Sequence, residues 1–510
     1  MKYRLLLLAL VLLFPFSCKT ISDVAQNLPA SEAELVILQI NDVYEISPLE
    51  GGKLGGMARV ATLRKQLKAK HPNVKTILAG DFLSPSVIGT VKIDGERVQG
   101  EQMVDVMNAI GIDAVVFGNH EFDIKEAALQ KRLNESKFTW IGGNVWHDRG
   151  ELIEPFYQEK SDGNKEWVKP YDVWVLPASF GAPVNLGVMA LTINSNPQDF
   201  VRYVNYTQSA QQFAEDLRLR SDAMIAITHL SIEEDREVAR LVPDLNLIMG
   251  GHEHAQHTEK VGEVTIAKAD ANAKSAWVHH LKISGPDHDI SIKSEAITLD
   301  EKIEPDPEVS KLVESWEKKA FQAFIDQGFD LEAEVADLDE PLDGLEAHIR
   351  TRQTNLGLAI ATGMFEAADG ADCAVFNGGS VRIDDHLSGT ITQYDIIRTL
   401  PFGGKVLQVD MKGRLLKKAL DSGEKNKGNG GYLQRHLLSK ESGEWQLKGE
   451  SIADDQTYRV ALNDYLLLGL EDGMEYFTRK NEDIVAAIEP EADSPLSDVR
   501  KTLVNYLQKQ

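Results

Sequence analysis

The chain is poor in cysteine, in basic charge and in long apolar runs. Its 510 residues include two cysteines, Cys18 and Cys373, which excludes a disulfide-stapled framework. Lys and Arg number 54 against 79 Asp and Glu, a formal charge of −25. That balance excludes broad binding to a nucleic-acid polymer, because a phosphate backbone is held by clustered basic side chains. A small anionic substrate is not excluded, since a pocket with metal ions and a few arginines is locally positive even in an acidic protein. The longest apolar run, Leu5–Phe16 (LLLLALVLLFPF), has twelve residues, short of the ~20 that cross a bilayer. What remains is ordinary for globular protein, 43% apolar and 26% charged, and long enough for two or three domains.

The N-terminus reads as an export signal. MKYR carries two positive charges ahead of the apolar run, and the small Ser17 precedes Cys18 at the border with a polar stretch. PFSC resembles a bacterial lipoprotein signal. That implies removal of residues 1–17, a lipid on Cys18, a tether over 18–33, and a membrane-anchored protein facing the periplasm or cell surface. With Cys18 lipidated no internal disulfide is possible, and Cys373, within ADCAVF, is expected to be a small buried hydrophobe.

Over residues 34–300, short strand-like runs such as ELVILQIND, VKTILAGDFL, DAVVFGNHEFD, DAMIAITHLS and LNLIMGGHEH alternate with helical patterns such as MARVATLRKQLKAK. Alternation of this kind predicts an α/β layered domain. The polar residues gather at the carboxyl ends of the runs: Asp42, Asp81, Asn119 with His120, His229, then His252 and His254. In α/β sheets ligands bind at that edge. Taken singly, each is a turn former, a cap or a hydrogen-bonded histidine; together, four of the thirteen histidines in the chain fall at successive strand ends. Pro305 and Pro307 then break the pattern. Val309, Leu312, Trp316, Phe321 and Phe324 recur at helical spacing, so 301–327 reads as a linker and one long helix, and 328–510 as a second domain.

Imidazoles mixed with carboxylates suit Zn, Mn, Fe or Co better than Ca or Mg. More than four candidate donors suggest two divalent metal ions with one carboxylate between them, an arrangement that activates water for attack on phosphorus. GDFLSPS, GNHEFD, ITHLS and GGHEH, in this order, resemble the successive motifs of the calcineurin-like metallophosphoesterases. With the second domain the chain resembles the 5′-nucleotidase / UDP-sugar hydrolase family. The resemblance implies a four-layer sandwich, helices on two packed mixed sheets, joined by a long helix to a smaller α/β substrate-binding domain. It implies Asp81 as the bridging ligand, Asn119, His229 and His252 completing one metal, and Asp42 and His254 holding the other. His120, oriented by Asp123, would stabilise the transition state or the leaving oxygen; Asp123 as a helix cap is the plainer reading.

The chain departs from the family where Asp-x-His is usual, because Tyr44 replaces the imidazole. A neutral phenol is a poor ligand, so packing is one expectation, a phenolate ligand or a hydrogen bond to bound water the others. His254 stands where the nucleotidases commonly have an amide. In the second domain RTRQTNLGLAIATGM and VFNGGSVR resemble substrate-binding motifs, which implies roles for Arg350, Arg352, Asn377, Gly379 and Arg382; arginine forks suit phosphate. GNGGYLQ brings Tyr432 as a stacking aromatic. GLEDGMEYF has Met474 at the second aromatic position, with Phe477 a substitute. TLPFGGKVLQVDMKG is read as structural. The resemblance thus implies hydrolysis of nucleoside 5′-monophosphates or related nucleotides, with UDP-sugars, 2′,3′-cyclic nucleotides or non-catalytic nucleotide binding as alternatives.

Overall fold

The computed structural model describes residues 32–49, 51–93, 95–179, 181–195, 198–284 and 289–510. The signal segment 1–17, Cys18 and all but the end of the tether lie outside the described residues. The first strand begins at Glu32 rather than after the tether's expected end at 33, because Ala33 already pairs with Ile283 and is buried.

Two six-stranded mixed sheets form the first half of the chain. One runs, in spatial order, Asp289–Thr298, Ser275–Ser284, Glu32–Ile40, Val74–Leu78, Ala114–Val116, Thr139–Ile141. The other runs Tyr171–Leu176, Val184–Thr192, Ala223–His229, Leu247–Gly250, Val264–Lys268, His257–Val261. The strands Glu32–Ile40, Val74–Leu78, Ala114–Val116 and Thr139–Ile141 of the first sheet run parallel and its other two are paired antiparallel, while the second sheet is parallel from Val184–Thr192 to Val264–Lys268 and antiparallel at both edges. Strand periodicity sends alternate side chains to opposite faces. Leu35 and Ile37 therefore meet Leu186, Val188, Ile225 and Ile227 of the other sheet, while Val36, Leu38 and Ile40 face the helices Met57–Lys70 and Glu101–Ile110. The second sheet is covered likewise, Leu191 and Ile248 packing with Phe213 and Val238 of the helices Tyr206–Arg218 and Ile232–Leu241. Four layers result. Strands buried on both faces read as continuous apolar runs, so their polar residues are left to the ends.

The helix Pro307–Ile325 starts at Asp306, whose carboxylate accepts from the N–H groups of Glu308 and Val309, with Pro307 in the first turn. Val309, Val313, Trp316, Ala320 and Phe324 bury one stripe of it against the first domain. Beyond it a five-stranded sheet runs Leu433–His436, Cys373–Asn377, Thr457–Asn463, Val406–Lys412, Ile484–Ile488. The helices Asn355–Ala367, Gly413–Lys425 and Val499–Leu507 pack on it. Cys373 is buried and free.

Candidate metal centre between the two domains

Asp42 and Asp81 each follow a strand by a short turn and have left-handed backbones, φ 52° and 59°. His252 and His254 (φ 87° and 58°) do so too. Such a backbone is costly for a non-glycine residue and gathers at functional sites. The turns also approach one another closely. A Cβ on Gly118 would stand 2.1 Å from Asp81 Oδ1, and one on Gly80 2.6 Å from His229 Nδ1, which is the physical reason for the glycines in GD and GNH.

Asp42, Asp81 and His229 are buried, and one potential ligand atom from each lies within 4.8 Å of the others. His229 Nε2 is 3.0 Å from Asp81 Oδ2 and 3.9 Å from Asp42 Oδ1. His254 Nε2 is 3.3 Å from Asp42 Oδ1. The His252 ring centroid is 5.4 Å from that of His229, and its backbone N–H donates to Asp42 Oδ2 at 2.9 Å. Asn119 lies between Gly118, which crowds Asp81, and His120, whose N–H donates to Asp81 Oδ1 at 2.8 Å. Burial opposes ionised carboxylates here, but the imidazoles of His229 and His254 hold Asp42 well below the usual carboxylate range. Asp81 is lowered against the same burial by His229 and His120. In turn burial is outweighed at His229, which the two aspartates push up to about 9. Burial and the charge of His229 lower His252 to about 4.

The donor set fits divalent metal. Asp42 Oδ1 and His229 Nε2 are buried atoms whose contacts are ion pairs, with His254 and Asp81, rather than well-formed hydrogen bonds, so their lone pairs converge where a cation would take them. The imidazole–carboxylate chemistry suits a transition ion. Asp42, Asp81 and His229, with Asn119, His252 and His254 around them, would hold it.

Tyr44 does more than pack. Its hydroxyl donates to Asp81 Oδ2 at 3.2 Å and lies 3.0 Å from His254 Nε2, so Tyr44 points into the donor cluster. Asn272 Oδ1 accepts from the N–H groups of Tyr44 and Glu45, at 3.0 and 3.2 Å, and fixes that turn. His120 Nδ1 is 2.8 Å from Asp123 Oδ2. Burial lowers its pKa, but the charges of Asp123 and Asp81 outweigh burial and raise it. Asp123 caps no helix; the helix Glu126–Glu135 begins after Lys125.

The second domain reaches this centre. Arg382 Nη2 is 3.9 Å from Asp123 Oδ2. Arg350 is pinned to Glu346 at 2.6 Å and lies in the fields of Arg382, Asp384 and Asp123. Asn377 donates to Glu471 Oε1 at 2.7 Å, and Gly379 donates to Gly430 O at 2.8 Å. Three expected residues are not brought to this place. Arg352 is exposed and paired with Asp343 at 3.1 Å. Phe477, 1% exposed, packs with Met474 in the apolar core, and Tyr432 is 4% exposed, so neither presents a free ring. The aromatics that are available are Phe402, 50% exposed with the Arg382 guanidinium 5.5 Å from its ring centre, and Tyr465, 39% exposed in the field of Arg382. TLPFGGKV therefore does more than fill the core: an aromatic between Pro401 and Gly403 sits in a turn, where strand alternation does not bury it.

Glu121 also went unread. It is fully buried within GNHEFD, and its two oxygens accept from the N–H groups of Asp81, Phe82, Leu83 and Gly118 at 2.6–3.2 Å. It ties the turn carrying Asp81 to the turn carrying Asn119 and His120. Lys268, equally buried, donates to Leu230 O and Gly251 O at 2.6 and 2.8 Å and pairs with Asp235 and Glu253, fixing the loop of His252 and His254.

Comparison with known proteins agrees with this construction. Residues 35–256 match the calcineurin-like phosphoesterase family and residues 334–479 the 5′-nucleotidase C-terminal domain. A trifunctional nucleotide phosphoesterase of Bacillus subtilis is 26% identical over 498 residues; the alignment takes in 87% of this chain and 32% of that protein. Human 5′-nucleotidase is 26% identical over 505 residues, 86% of this chain and 84% of that one. The crystal structure of a 5′-nucleotidase precursor from Thermus thermophilus has the same fold, with a TM-score of 0.70 at 23% identity over 93% of this chain and 96% of that one. The two family matches between them take in most of the chain, which therefore belongs to the calcineurin-like phosphoesterases that carry a 5′-nucleotidase C-terminal domain, and so to the metal-dependent phosphoester hydrolases.

Proposed function

We propose that the chain releases phosphate from nucleoside 5′-monophosphates or related nucleotides at the cleft between its domains. The observation that carries the reading is the approach of Arg382 to the Asp123–His120 pair, beside the buried Asp42–Asp81–His229 cluster. Bound divalent metal would supply the activated water and neutralise charge on the phosphoryl oxygens. Arg382 and Arg350 would orient the phosphate by their forked donors. Asp123 holds His120 by Nδ1, which leaves Nε2 to protonate the leaving oxygen; the raised pKa favours the protonated ring. Phe402 and Tyr465 offer faces to a base. Glu471, half-buried beside Asn377, offers an acceptor to a sugar hydroxyl.

The reading includes export and a lipid on Cys18, supported by the apolar run Leu5–Phe16 and the small Ser17 that precede that cysteine. The test is phosphate release from AMP, UDP-glucose and 2′,3′-cyclic AMP with Mn²⁺, Zn²⁺ or Co²⁺ supplied. Turnover of AMP is expected. Tight binding of all three without turnover under any metal contradicts the reading. Loss of membrane association in Cys18→Ser is the expected result for the anchor.

A further inference from the structure

We infer that Asp384 of the second domain is a positioning residue for the imidazole of His254, so that one half of the metal centre is complete only when the two domains are closed. The inference rests on the metal-centred reading above.

A histidine that offers one ring nitrogen to a metal needs its other nitrogen held, or the ring turns and the wrong tautomer competes. His229 is held from within its own domain, its Nδ1 lying 2.8 Å from Ala79 O, at the end of the strand that leads to Asp81. That lock moves with the metal centre. His254 is different. Its Nε2 faces Asp42 Oδ1 and the Tyr44 hydroxyl, while its Nδ1 contacts Asp384 Oδ2 across the domain boundary. Asp384 is itself aimed at this contact. Its backbone is left-handed, φ 41°, a conformation Asp tolerates better than most residues, and its Oδ1 accepts from Glu346 N–H at 2.5 Å. The next residue repeats the crossing, with Lys274 Nζ 2.9 Å from Asp385 Oδ2. Tyr394 donates across the same boundary to Glu45 Oε2 at 3.1 Å. Separation of the domains removes Asp384 from His254 but leaves His229 and Ala79 together.

The two metal positions therefore differ in their dependence on closure. An ion held by Asp81, Asn119, His229 and His252 would keep its support in either arrangement. An ion held by Asp42 and His254 would lose the hydrogen bond that orients one ligand. Losing such a partner typically costs about 10–100-fold in metal affinity. By linkage, the same ion favours the closed arrangement by the same factor.

The test titrates the metal-free full chain with Zn²⁺ alone against a chromophoric chelator, for wild type, Asp384→Ala and Asp384→Asn, with metal-free melting recorded for each. Two ions are expected in wild type. Asp384→Ala should weaken one of them 10–100-fold and spare the other, and Asp384→Asn, which keeps an acceptor oxygen, should recover part of the loss. Unchanged affinity for both ions in both variants overturns the inference, as does equal weakening of both. Failure of the wild type to bind any metal overturns the proposed function itself, and is distinguishable on that account.

Discussion

Replacing Glu121 by Gln tests the frame of the centre without touching a metal donor. Glu121 Oε1 accepts from Phe82 and Leu83 at 2.7 and 3.2 Å, and Oε2 from Asp81 and Gly118 at 2.9 and 2.6 Å. Both oxygens are saturated by donors. A glutamine keeps one oxygen and turns an NH₂ toward two N–H groups, so two buried donors lose their acceptor. Each costs about 1–3 kcal/mol, or about 2–6 kcal/mol locally. At 1.4 kcal/mol per factor of ten, the pair of amides that faces the new NH₂, Asp81 with Gly118 or Phe82 with Leu83, should exchange at least about 30-fold faster. Hydrogen exchange read by mass spectrometry on peptides covering 78–85 and 114–122 measures this without assuming that two domains unfold as one unit. Exchange unchanged from wild type refutes the reasoning, because it would mean that the carboxylate does not hold the two turns.

His120→Ala should lower turnover by about 10²–10⁴-fold, the range for a positioned proton donor, with metal content unchanged by elemental analysis; undiminished turnover contradicts its role. Phe402→Ala should raise KM for a nucleoside monophosphate about 5–150-fold, matching ~1–3 kcal/mol of stacking, with kcat little altered, and an unchanged KM removes Phe402 from the base site. His279 is buried between Gln39 and Ser294, and burial depresses it from its ordinary 6.5 to about 3. Its neutral form is the folded one, so its contribution is complete above pH 6.5 and is lost as pH falls toward 3. At pH 4.5 that loss is roughly 3 kcal/mol, two pH units at about 1.4 kcal/mol each. His279→Gln should flatten the fall of melting temperature between pH 6.5 and 4.5, and an equal fall in both proteins contradicts the assignment.

The layers and the donor set were legible because they rest on periodicity and residue type. Strands buried on both faces must be apolar, and what remains polar at their ends stands out: Asp42, Asp81, His229 and His254 are visible without any coordinates. The supporting contacts were not legible, since they depend on which distant segments meet. Glu121 has no neighbour in the chain that marks it as the acceptor for Asp81 and Gly118. Asp384 meets His254 across 130 positions of chain and a domain boundary. The aromatic residues misled in the same way. Tyr432 and Phe477 have suitable types but are buried, while Phe402, in a stretch that reads as core, is half exposed beside Arg382. Tyr44 shows the limit of type alone: a phenol is a poor ligand in general, yet here its hydroxyl stands between Asp81 and His254.

Anomalous diffraction from crystals of the full chain soaked in Mn²⁺ or Zn²⁺, collected at the metal edge, tests the central claim most directly. The account predicts density within bonding distance of Asp42, Asp81 and His229, between the two domains and facing His120. Crystals that take up metal only at surface carboxylates, with that cluster empty, would contradict it.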